Sequence, residues 1–428
     1  MTDAGARFDA LSASAGPVAR GSVARVGIAT AITAACGYAV LYLAARNLDP
    51  AGFSVFGVFW GAFGLVSGAA NGLLQEATRD VRAASQSEPA ATATDQRVDR
   101  PHTHPMRVGA GVGLVAAAII AITSPLWAPH VFAEARPLSV ALLSIGLAGF
   151  CLHATLLGML AGTGRWTNYG SLMVTDAVIR VMIATATFLL GWGLVGFLWA
   201  TVGGAVAWIL LWSVSAGTRT AAQLRTPGKV STYLRGASHS IAASGASAIL
   251  VMGFPVLLKA TSGQLGAAGG VVILAVTLTR APLLVPMTAM QGNLIAYFVD
   301  RRHARLRALL KPAAVVLAVG TVGVLAAALV GPWLLQFAFG PGYQTSGTLL
   351  AWLTAAAVAI AILTLTGSAT VAASLHRAYS LGWVAATVAA ALLLTLPLSL
   401  ETRTVVALLC GPLVGIVVHL TALARADV

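Results

Sequence analysis

Residues 138–161 read LSVALLSIGLAGFCLHATLLGMLA, 24 consecutive positions without an Asp, Glu, Lys or Arg. A helix rises 1.5 Å per residue and the hydrocarbon core of a bilayer is about 30 Å thick, so about 20 such residues cross it. The stretch reads as a membrane span. Working outward, apolar segments of similar length recur near 24–44, 53–74, 108–127, 168–190, 193–215, 237–258, 266–296, 312–335, 346–373, 379–398 and 403–424. The whole chain of 428 residues is 58% hydrophobic and 9% charged, with a mean hydropathy of +0.86. Soluble domains carry about 25% charged residues, so soluble, secreted and disordered classes are excluded together. The expected fold is all-α, a polytopic membrane protein of about 12 transmembrane helices. The segments are rich in Ala and Gly, which lets helix backbones approach closely in lipid.

The connections between spans divide the basic residues unevenly. One set, the N-terminal segment with Arg25 at the mouth of the first span, 75–107, 162–167, 216–236, 297–311, 374–378 and 425–428, carries 20 of the 26 Lys and Arg. The other set carries four: Arg46, Arg136, Lys259 and Arg403. Cytoplasmic loops hold the excess of positive charge, so both termini are expected in the cytoplasm and the chain in the inner (plasma) membrane as a multi-pass protein. This bias accounts for the net charge of +13. Bases and aromatics are not interleaved as in a nucleic-acid surface, so no nucleic-acid partner is expected. The cluster Arg301, Arg302, Arg305, Arg307 and Lys311 suits contact with anionic membrane lipids. The first 23 residues lack a cleavable signal pattern, so the first span is expected to stay as an anchor.

Residues 83–105, AASQSEPAATATDQRVDRPHTHP, combine low hydrophobicity with Pro, Ser, Thr and mixed charge. Such a loop cannot bury a core and is expected to be disordered. His102 and His104 lack the further ligands a metal needs, and Cys36, Cys151 and Cys410 lie singly in apolar segments, so neither a metal site nor a disulfide framework is indicated. No GxxxxGK[ST] loop is present, so ATP hydrolysis is not encoded and no cofactor is expected.

The chain echoes itself. HVFAEARPLSVALLSIGL (130–147) has a counterpart about 207 residues later in LQFAFGPGYQTSGTLLAWL (335–353), and RWTNYGSL (165–172) is matched by HRAYSLGW (376–383). Six spans repeated in parallel orientation follow from this spacing. The expected parts are a cytoplasmic segment 1–23, a six-helix lobe 24–215 containing loop 83–105, a linker 216–236, and a second six-helix lobe 237–428.

AARNLDPAGFSVFGVF (44–59) resembles the Ala-Arg-x-Leu-x-Pro-x-x-Phe/Tyr-Gly pattern of polysaccharide flippases, and FAFGPGYQTSGTLLAWL (337–353) resembles their Phe-Gly-x-x-Tyr stretch. These proteins belong to the multidrug/oligosaccharidyl-lipid/polysaccharide exporter superfamily, together with O-antigen-type and lipid II flippases. The resemblance implies a V-shaped pair of six-helix lobes that opens alternately to each side. It also implies a non-enzymatic flippase moving a polyprenyl-phosphate-linked sugar or oligosaccharide to the outer leaflet for envelope polysaccharide synthesis, near envelope glycosyltransferases, with cavity arginines engaging the lipid phosphate.

Two charged residues of like sign lie near the midplane: Arg180, about 12 residues into the fifth span, and Arg280, about 14 into the eighth. Charge there is costly and normally faces a partner or a wet cavity. Asp176, one turn before Arg180, is spaced for an i, i+4 pair; both are candidate substrate contacts, with a helix-stapling ion pair as the other role. Arg280 has Val276, Thr277, Leu283 and Leu284 at the corresponding positions. It is therefore expected to contact substrate phosphate through its planar fork, or else to bond Asp176 across helices. Pro282 and Pro286 remove the bonds to the carbonyls of Leu278 and Pro282 and favour a bend beside Arg280; Pro255 is placed to bend the seventh span. Asn71, Gln75, His239, Gln291 and Asn293 at helix ends are further candidate substrate contacts, with interhelical hydrogen bonds as the simpler role. His153 and His419 read as buried, hydrogen-bonded packing residues.

Three other functions fit less well. A cation-coupled multidrug antiporter of the same superfamily would want acidic groups in the cavity, where only Asp176 is available. A membrane-embedded glycosyltransferase would want outer carboxylates, and only Asp49, Glu134 and Glu401 on short loops qualify. A scaffold would recruit partners through loop 83–105.

Overall fold

The computed structural model describes residues 16–87, 101–301 and 305–426. Its helices are α1 (Gly16–Asn47), α2 (Pro50–Ser87), α3 (Pro105–Val131), α4 (Arg136–Gly162), α5 (Trp166–Leu190), α6 (Gly193–Gly203), α7 (Ala207–Val214), α8 (Ala216–Ala222), α9 (Val230–Val251), α10 (Phe254–Ser262), α11 (Gly266–Ala289), α12 (Gln291–Asp300), α13 (Arg305–Leu329), α14 (Gly331–Phe339), α15 (Gly347–Ala372), α16 (His376–Leu393) and α17 (Leu400–Ala426). Every expected span falls on one helix or on a consecutive pair, so the all-α polytopic fold holds.

The count is the first difference. Among the described residues ten helices, with α6 and α7 taken as one, are long and apolar enough to cross a membrane; an eleventh is the pair α9–α10, bent by 62°. The remaining expected span is α16, whose 18 residues open on His376 and Arg377 and so carry a shorter apolar run.

The second difference concerns loop 83–105. Helix α2 continues to Ser87, and His102–Thr103 (β1) pairs antiparallel with Thr226–Pro227 (β2). The Thr103 hydroxyl donates to the Gly228 carbonyl (2.9 Å) and the Gly228 amide to the Pro101 carbonyl (2.8 Å). Both ends of the supposedly disordered loop are therefore ordered. Composition could not reveal this, because the pairing partner lies in the 216–236 linker. Residues 88–100 lie outside the described residues, as do 1–15 of the expected N-terminal segment.

Side-chain caps and backbone turns set the helix ends. Asp49 accepts the Gly52 amide at 2.7 Å to start α2, and Ser346 accepts the Leu349 amide at 3.1 Å to start α15. The RWTNYGSL and HRAYSLGW echo has a structural counterpart. Thr163, Gly164, Arg165 and Tyr169 donate to the carbonyls of Met159, Ala161, Leu160 and Arg165. Ala373, Ser374, Leu375 and Tyr379 repeat the pattern on Ala369, Val371, Thr370 and Leu375. The central residue has positive φ in both turns, 69° at Gly164 and 60° at Ser374.

Helix α2 joins the two parts of the chain. It packs on α4 on one side and along α9, α10 and α11 on the other. A stripe of glycines makes the second contact close. A Cβ at Gly57 would lie 2.8 Å from Ile273, at Gly61 3.0 Å from Pro255, at Gly68 2.7 Å from Ala248, and at Gly72 2.3 Å from the Ile241 amide nitrogen. Close backbone packing of this kind is one of the forces that associate helices in lipid.

Candidate functional site

A cavity of about 160 Å³ lies where these elements meet, walled by Tyr38 and Leu41 of α1, Phe53, Gly57 and Trp60 of α2, the α9–α10 bend, and α11 from Ile273 to Thr288. Its one charged lining residue is Arg280, which is 7% exposed. A larger hollow of about 440 Å³ lies between α15 and α17, lined by residues such as Trp352 and Glu401, away from this junction.

The bend explains how the buried guanidinium is held. The last carbonyls of any helix lack i+4 partners, and here the residue four after Val251 is Pro255, which has no N–H. Arg280 Nη1 fills the vacancy, donating to Val251 (3.1 Å) and Leu250 (3.4 Å). The guanidinium also lies over the Phe254 ring, 5.3 Å from its centroid. Its Nη2 is buried without a hydrogen-bond partner. Among the described residues no carboxylate pairs with it.

Arg180 repeats part of this arrangement. It lies 5.3 Å over the Phe63 ring and donates Nη1 to the carbonyl of Thr201 at 2.6 Å, in the last turn of α6 before the 3-10 turn Gly204–Val206. The difference is charge. Asp176 takes Nε and Nη2 of Arg180 at 3.0 Å each, the fork-on-carboxylate geometry expected from the i, i+4 spacing. Gly204 makes room, since a Cβ there would lie 2.2 Å from Asp176 Oδ1. The alternative bond between Arg280 and Asp176 is thus not formed, because the acid is already engaged on its own helix.

The remaining candidates do not gather at Arg280. Gln75 is exposed and donates Nε2 to Ser244 Oγ across the α2–α9 seam at 3.1 Å. Asn71 is half-buried on α2 and His239 exposed on α9. Gln291 is half-buried at the start of α12, and the side chain of Asn293 lies outside the described residues. None of these lines the cavity. Helix α11 remains one helix through Pro282 and Pro286, so the sharp break beside Arg280 belongs to its neighbour. His419 is satisfied on both ring nitrogens, by Thr366 (3.0 Å) and the Tyr379 carbonyl (3.2 Å). His153 stacks on Phe150 but leaves Nδ1 without a partner, so only one of the two histidines is fully satisfied.

Sequence reading overlooked Tyr38 and Trp60, and it overlooked Glu76. The apolar span 53–74 stops two residues short of Glu76. In the structure it is 2% exposed on α2, bonded to Arg79 at 2.5 Å and seated against Gly236. The signal was present, because Glu76 continues the Gly68 and Gly72 stripe at i+4.

No family profile matches the chain. In architecture it is similar to a multidrug resistance MATE family transporter of the MOP superfamily in an inward-facing conformation, with a TM-score of 0.72 at 15% identity over 95% of this chain and 98% of that one. A MOP superfamily transporter from Pyrococcus furiosus, described as having a binding pocket of reverse polarity, matches with a TM-score of 0.61 at 16% identity over 95% and 96%. In sequence the chain is 71% identical to the uncharacterized protein Rv3630 of Mycobacterium tuberculosis over 415 residues, 97% of this chain and 95% of the relative. It is 65% identical to Rv1510 of the same organism over 425 residues, 99% and 96% of the two chains. The chain therefore has the MATE transporter fold and belongs to the family of the mycobacterial proteins Rv3630 and Rv1510.

Proposed function

We propose that the chain is a MOP-superfamily transporter that flips an anionic lipid, a polyprenyl-phosphate-linked sugar or oligosaccharide, from the cytoplasmic to the outer leaflet of the inner membrane. The observation that carries this reading is Arg280 lining the cavity, holding a buried charge with its Nη2 amino group unspent. Phosphate supplies both the counter-charge and the acceptor oxygen. Two six-helix lobes, 24–215 and 237–428, would move about the α2 seam. A cation-coupled multidrug antiporter shares the fold, but a cation would meet a like charge in this cavity, whose lining carries no carboxylate. The remaining candidates at the seam, Gln75 and Asn71 among them, would meet the cargo only on its way to or from the cavity.

The test is reconstitution. Purified protein in liposomes should move a fluorescent polyprenyl-diphosphate sugar between leaflets, and Arg280→Ala should lose that activity while Arg280→Lys keeps part of it. Normal flipping by a stable Arg280→Ala protein would overturn the assignment.

A further inference from the structure

The two motif stretches that suggested a flippase lie almost 300 residues apart in sequence, yet they are packed on each other. The Tyr343 hydroxyl donates to the Leu48 carbonyl at 3.4 Å. Its ring meets Phe53 edge-on (centroids 6.0 Å, 86°) and Phe339 (6.0 Å), and Phe339 in turn meets Tyr42 at 5.7 Å. Gly342 sits against the Pro50 ring, where an added Cβ would lie 3.1 Å from Cγ. Tyr343 is 2% exposed. The contact ties the α1–α2 connection to the α14–α15 connection at the end of the bundle opposite the basic loops.

Phe53 belongs to both structures: it is one of the rings against Tyr343 and a wall of the Arg280 cavity. We infer that the Tyr343, Phe53 and Leu48 clasp is the outer gate of that cavity, closed in this structure, and that it must part for cargo to leave on the outer side. This rests on the transporter reading above. The arrangement suits a gate because it is held by one long hydrogen bond and by aromatic edges, with no ion pair among the described residues to break. Each of these contributes little, so modest binding forces can part it. The Tyr343 bond reaches a backbone carbonyl, so side-chain changes on the first part of the chain cannot remove it.

The experiment measures access rather than cargo. In a background lacking Cys36, Cys151 and Cys410, Thr277→Cys places a thiol on the cavity wall. Its modification by a membrane-impermeant maleimide added outside intact cells is read at residue 277 by mass spectrometry. Tyr343→Phe should raise the labelling rate about threefold, the worth of one weak hydrogen bond. Oxidation of a Pro50→Cys/Gly342→Cys pair should bring labelling to background, and a reductant should restore it. Labelling that ignores both changes overturns the gate, whatever the cargo. Labelling that responds while no variant moves a lipid-linked sugar upholds the gate and removes the cargo assignment alone.

Discussion

Arg280 Nη1 and the Val251 carbonyl oxygen lie 3.1 Å apart at the helix break, where Pro255, four residues after Val251, has no N–H to offer either. The arginine on α11 thus completes the helix end left open at the break. A charge that looks free for a ligand is half committed to structure, and Nη2 is left buried without a hydrogen-bond partner.

The two residues should therefore couple in stability. With Pro255→Ala an N–H returns to position 255 and can serve Val251, so Arg280→Ala should cost about 1–2 kcal/mol less in that background than in the native one. A double-mutant cycle on thermal unfolding in detergent measures the difference. Strict additivity would mean that Arg280 does not support the bend.

Asp176→Asn should destabilise the protein by about 2–4 kcal/mol, because it strands the Arg180 guanidinium in a site open to solvent for only a small part of its surface. Replacing both partners with apolar residues, Asp176→Leu with Arg180→Met, should recover most of the loss. A melting temperature unchanged by Asp176→Asn alone would show the pair to be dispensable.

Much of this was legible in the sequence. Apolar run length fixed where helices lie, and an i, i+4 spacing sufficed for the Asp176–Arg180 pair because both groups sit on one helix. What could not be read depends on elements meeting in space. The acceptor of Arg280 is a carbonyl on a different span, exposed only because that span breaks at Met252 and Gly253. The β1–β2 pairing joins two polar linkers whose separate compositions look structureless. Glu76 is an intermediate case: it lies on the glycine stripe, which the sequence shows, but beyond the end of the apolar run.

The charge distribution makes a topological prediction. With 20 basic residues on one side and four on the other, reporter fusions after residue 90, after residue 230 and at the C-terminus should all be cytoplasmic. A C-terminus outside while the fusions after residues 90 and 230 report cytoplasm is the result incompatible with an even number of crossings.

The α2 seam gives the last prediction. Gly72 faces the backbone of Ile241, where an added Cβ would lie 2.3 Å from the amide nitrogen, and backbone cannot swing aside as a side chain can. Gly72→Ala should force α2 and α9 apart and cost about 1–3 kcal/mol, the usual penalty of overpacking. Gly37→Ala on α1 is the control. Nothing lies within 4 Å of its added methyl, and alanine is the better helix former by up to about 1 kcal/mol, so that variant should be neutral or slightly stabilised. Thermal unfolding of the two proteins side by side separates loss of the seam from any general effect of removing glycine. Equal melting temperatures would mean that α2 and α9 are not held at the distance described, and the seam would no longer serve as the joint between the two parts of the chain.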